Sequence, residues 1–89
     1  MKVYGIYISD YESGYFDTPF YGTKEKAYEA LRPKLSKMMQ DTKRMQDFEK
    51  AEDLGDGIDY KDWKQETPDK WTGGFCNFES IEIVEIEVI

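Results

Sequence analysis

The sequence predicts one α+β domain: an N-terminal β-hairpin, one bent or two consecutive helices, and C-terminal strand(s) completing a small antiparallel sheet. Three observations carry that expectation. Aromatic and β-branched residues crowd Val3 to Ile8, and apolar residues recur at helical spacing from Ala27 to Phe48. Between Ile81 and Val88, Ile and Val are interleaved with Glu82, Glu85 and Glu87. With 89 residues, the chain has room for a single domain, 1–89, and a modest core. Its 2 Trp, 7 Tyr and 5 Phe supply bulky core material, and its lone cysteine, Cys76, leaves no intrachain disulfide to compensate for a small core.

The elements follow in order. Val3, Tyr4, Ile6, Tyr7 and Ile8 favour a strand over Lys2 to Ser9. Asp10 to Gly14 is turn material, and Tyr15 to Tyr21 returns antiparallel. Pro19 has no backbone donor, which places that second strand at an edge or ends it early. Thr23 is a helix cap, Glu25 suits the positive end of the helix dipole, and Ala27, Ala30, Leu31, Leu35 and Met38 share a stripe. Pro33 bends or splits the helix, so segments near 24–32 and 33–52 are expected, the second carrying Met38, Met39, Met45 and Phe48. Residues 53–74 show no sustained period, and Tyr60, Trp63 and Trp71 are expected to pin them to the body. Phe75 to Ile89 is the strongest strand signal. Its apolar parity changes at Ile83–Val84, which suggests a β-bulge or bend.

Composition excludes several chemistries. The chain has no histidine, so His-based nucleophile activation has no base here, and one cysteine cannot build a zinc site. It has neither a phosphate-cradling G-x-x-x-x-G-K-[ST] nor a G-x-G-x-x-G motif. A non-enzymatic protein without cofactor or metal is the expectation; an enzyme working on carboxylates alone is the residual case. No apolar run reaches membrane-span length and no leader-like segment follows Met1, so a cytoplasmic protein without membrane association is expected.

The formal charge of −7 disfavours direct nucleic-acid binding, and its distribution is uneven. Residues 1–23 carry one Lys against three acids. Residues 24–50 carry eight basic and five acidic side chains, and residues 51–89 three Lys against eleven acids. The acids Asp53, Asp56, Asp59, Asp62, Glu79, Glu82, Glu85 and Glu87 could imitate the phosphate spacing of a nucleic acid and occupy a partner's basic groove. They also suit the solvated face of a half-buried strand that blocks edge pairing. Trp63 is the candidate aromatic anchor among them.

Other motifs point elsewhere. Residues 52–63 resemble the second half of an EF-hand loop, but aligning Ile58 to Asp62 displaces Gly57, and aligning Gly57 puts Leu54 on a ligand position. Lys24, Lys26, Lys34, Lys37, Lys43, Arg44 and Lys50 alternate with acids, as on an ordinary solvated helix face. Tyr11, Tyr15, Tyr21, Tyr60, Trp63 and Trp71 could anchor a partner or stack on a nucleotide, while Cys76 reads as a buried small hydrophobe.

The arrangement Lys2-Val3-Tyr4, then Phe20-Tyr21-Gly22-Thr23-Lys24-Glu25-Lys26-Ala27, then Glu82-Ile83-Val84-Glu85-Ile86-Glu87-Val88 resembles small proteins of phages and prophages. The resemblance covers the two ends of the chain and leaves 40–75 unmatched. It implies a binder that blocks a host protein, as anti-CRISPR and other anti-defence inhibitors do. The resulting expectation is a monomer or homodimer acting on a host protein with a basic surface, with a small-ligand or nucleotide-binding protein as the alternative.

Overall fold

The computed structural model describes residues 1–52 and 60–89, the side chains of 49–52 excepted. Strands β1 (Lys2–Ser9) and β2 (Gly14–Tyr21) form the N-terminal hairpin. Asp10 sets its turn. The Asp10 carboxylate accepts the backbone N–H groups of Glu12 and Ser13, each at 2.9 Å, while the Asp10 N–H donates to the Ser13 carbonyl. β2 lies at the edge of the sheet, where Pro19 costs no ladder hydrogen bond.

A single helix, α1 (Lys24–Glu52), follows. Thr23 caps it, its Oγ1 accepting the Lys26 N–H at 3.2 Å. The expected division at Pro33 does not occur, and the helix runs through it. The physical reason lies on the opposite side of the helix. Ala27, Leu31 and Leu35 lie four residues apart and are buried against the sheet, so tertiary packing holds the turns on both sides of an exposed Pro33. Thr42 extends this buried line. Met39 and Phe48, expected in the stripe, are 39% and 50% exposed and lie off it.

Residues 60–75 form a hairpin of β3 (Tyr60–Thr67) and β4 (Lys70–Phe75), where the sequence showed no period. Neither strand reads as one because charged and polar residues fill β3 and Gly73–Gly74 interrupt β4. The last strand, β5, spans Glu79–Glu87 rather than starting at Phe75. Cys76 and Asn77, both at positive φ, and Phe78 make the turn between β4 and β5, so Cys76 is half-buried in a turn rather than in the core.

The five strands are ordered β2-β1-β5-β4-β3, all antiparallel. β1 and β5 pair in unbroken register from Lys2↔Glu87 to Ser9↔Ser80, so the bulge expected at Ile83–Val84 is absent. Instead both faces of β5 are apolar. Ile81 and Ile83 join Ile6, Ala27, Leu31 and Leu35 in the core under α1, whereas Val84 and Ile86 pair with Gly5 and Val3 on the opposite face. The irregularity sits in the neighbouring ladder, between Tyr4 and Ile6 in the β1–β2 pairing. No helix of the described residues is long and apolar enough to cross a membrane.

Candidate functional site

Antiparallel pairing gathers the β1–β2 turn, the β4–β5 turn and the start of β3 at one end of the sheet. There Asp10, Tyr11, Glu12, Tyr60, Phe75 and Glu79 line a cavity of about 370 Å³. Tyr11, Tyr60 and Phe75 give it aromatic walls, and each ring is braced by a ring contact. Tyr60 meets Phe75 edge-on at 5.5 Å, a contact fixed by their cross-strand pairing. Tyr11 meets Phe78 at 5.2 Å, joining the two turns. Tyr11 and Phe78 remain largely exposed, unlike aromatic residues committed to a core.

Three carboxylates join the rings. Asp10 is held below the ordinary carboxylate range by the Ser13 and Glu12 backbone N–H groups, so it stays an anion in mildly acidic solution. Glu79 is half-buried, and its Oε2 accepts the Phe75 N–H at 2.8 Å, which fixes that carboxylate across the β4–β5 turn. Gly74 sits there at φ 73°, in the left-handed region that favours glycine, and a Cβ would also push the Glu79 carboxylate off the Phe75 N–H. Glu12 is exposed at the hairpin tip. Among the described residues, no three carboxylates or thiols come together closely enough to hold a metal ion. Carboxylates set apart from one another in a lining shared with aromatic rings suit an organic cation, an ammonium or guanidinium group, through charge pairing and cation–π attraction.

The other sequence-derived candidates are dispersed. Asp53, Asp56 and Asp59, with most of the EF-hand-like segment, lie outside the described residues. Asp62 accepts the Gln46 amide at 3.0 Å, and the Trp63 indole N–H donates to Thr42 Oγ1 at 2.8 Å, tying β3 to α1. Trp63 thereby packs on the core with its polar atom already engaged. Glu82 lies across from Lys70 and Tyr7 on the sheet face away from α1. Glu85 accepts the Tyr4 hydroxyl and pairs with Lys2 at 3.5 Å, and Glu87 pairs with the terminal amine of Met1 at 3.4 Å. Of the proposed set, the described residues place Glu79 alone in the cavity.

Asp10, Glu12 and Phe75 were not singled out from the sequence as binding residues. Asp10 and Glu12 read as turn residues, and nothing local links them to Glu79, almost seventy positions away in the chain. The legible signal was Tyr11 and Tyr60, aromatic residues beside turn and glycine-rich segments. No family model, no curated protein and no solved structure matches this chain.

Proposed function

We propose that this chain is a non-enzymatic protein-binding module whose acidic, aromatic-walled sheet end receives a basic side chain of a partner. The resemblance to small phage proteins supports a particular setting, in which the module blocks a host protein by covering its basic nucleic-acid-binding surface. The observation that carries the reading is the cavity itself, which Asp10, Glu12 and Glu79 line together with Tyr11, Tyr60 and Phe75. A lysine or arginine entering it meets negative charge and π faces together, whereas the phosphates of a nucleotide meet three carboxylates. The cavity therefore favours a basic protein surface over the nucleotide-binding alternative. The net charge of −7 adds long-range steering toward such a surface.

The test is an NMR titration with an arginine-rich peptide at low and high salt. Resonances of Tyr11, Tyr60 and Phe75 are expected to move, with affinity falling at least about tenfold between 50 and 300 mM salt as charges are screened. Glu12→Lys, at an exposed position, should weaken binding by a similar factor without altering the fold. Equal binding by an acidic peptide, or unmoved cavity resonances, would sink the proposal. Capture from bacterial lysate with wild type and Glu12→Lys side by side would then name the partner.

A further inference from the structure

From the sheet face opposite α1, we infer that a second copy of this chain packs on it, making a two-fold dimer in the form of a β-sandwich. α1 covers the face that carries Ile6, Ile81 and Ile83. On the other face, register places Val3, Tyr7, Phe16, Val84 and Ile86, with the Phe20 ring lying over Gly5. A Cβ on Gly5 would come within 2.7 Å of the Phe20 ring, so the absence of a side chain there lets the ring lie close against the strand. Phe16 and Phe20 pack against one another at 5.7 Å, and Phe16 meets Tyr7 at 5.0 Å. Even so, Phe16 and Phe20 remain 39% and 45% exposed, and no described element lies over them. This is a continuous apolar patch across three adjacent strands, beyond the scattered exposure of an ordinary monomer surface.

Charge and area select the occupant. At the border of the patch Glu82 lies between Tyr7 and Lys70, and beyond it the same face carries Lys64 paired with Glu66, which also accepts the Thr72 hydroxyl. With Lys61, which register sets opposite Gly74, the face carries three positive and two negative groups, so it lacks the acidic excess of the chain as a whole, which carries −7. Two copies can therefore meet across this face without the repulsion their net charge would impose elsewhere, while a basic partner is drawn to the acidic sheet end instead. Five strands of about eight residues, spaced ~4.8 Å and rising ~3.4 Å per residue, present roughly 650 Å² per copy. Two copies would bury about 1,300 Å², within the range of specific interfaces. A two-fold axis lying between the sheets and perpendicular to the strands sets apolar half on apolar half, with the sheets about 10 Å apart.

Sedimentation analysis across a concentration series tests this directly. Wild type should sediment at twice the single-chain mass at tens of micromolar, and Phe20→Lys combined with Val84→Lys should sediment as a monomer. A wild type that stays monomeric to about 1 mM overturns the inference, as does a dimer that the double variant leaves intact. If the double variant does not fold, a soluble paramagnetic probe on wild type decides. Side-chain signals of Phe16, Phe20, Val84 and Ile86 should become protected as concentration rises, and their continued full broadening refutes the dimer. This outcome is independent of peptide binding at the acidic end.

Discussion

At the scale of single residues, the seating of the β3–β4 hairpin on the helix depends on the smallest side chain available. A Cβ on Gly73 would lie 2.7 Å from the Trp63 Cα, which is backbone and cannot rotate away. Trp63 cannot retreat easily either, because its indole is bonded to the buried Thr42 of α1. Gly73→Ala is therefore expected to destabilise the protein by about 1–3 kcal/mol, the usual cost of overpacking. Gly22, with nothing within 4 Å of a built Cβ, is the internal control: Gly22→Ala should be neutral or slightly stabilising. Paired urea denaturation curves measure both, and equal midpoints for the two variants would contradict this account of Gly73.

At the scale of elements, α1 is a helix held by its partners rather than by its own sequence. Proline in a helix interior removes one backbone hydrogen bond and clashes with the preceding turn, at a cost of roughly 3 kcal/mol against alanine. Burial of Ala27, Leu31 and Leu35 offsets that cost, and the ion pair of Lys34 with Asp17 attaches the next residue to β2. Pro33→Ala should recover part of it, raising stability by about 1–3 kcal/mol with an unchanged circular dichroism spectrum. A destabilised variant would mean that Pro33 has a role its exposed position does not reveal. The β3–β4 hairpin has the reverse character: weak local propensity, with its place secured by Trp63 and Trp71 packing on the core.

At the scale of the whole molecule, one polar cluster joins the helix start to the β3–β4 turn. Lys24 Nζ lies 2.7 Å from Asp69 Oδ2, and the Tyr28 hydroxyl donates to Asp69 Oδ1 and to the Pro68 carbonyl. Burial pushes the Asp69 carboxyl up, but hydrogen bonds from Lys24 and Tyr28 outweigh it and hold the group below its ordinary value. The bond to Asp69 raises Lys24, and burial followed by the same carboxylate raises Tyr28. A depressed acid stabilises the fold above its unfolded pKa and loses that contribution as pH falls below about 4. Raised Lys24 and Tyr28 contribute fully below about pH 10 and lose their share as pH climbs through their folded values. Asp69→Asn should therefore lower the melting temperature most between about pH 4 and 10, with the gap from wild type narrowing on both sides. Thermal melts across pH check this; a gap independent of pH would show that the cluster has no electrostatic share in stability.

The sequence by itself determined whatever depends on neighbours in the chain. The Asp10 turn, the Thr23 cap, the edge position of β2 and the helical spacing of Ala27, Leu31 and Leu35 are local physics and could be read directly. So could the acidic excess, since charge is a count. Only the tertiary structure decided that α1 continues through Pro33, because packing energy from a distant sheet outweighs one lost hydrogen bond. It also decided that Val84 and Ile86 need no bulge: a strand apolar on both faces looks like a register shift until a second apolar surface, that of Phe16 and Phe20, is known. The candidate site was the least legible part. Asp10, Glu12 and Glu79 become neighbours because β1 and β5 pair antiparallel at the centre of the sheet, and strand order is set by non-local burial that no short window of sequence records.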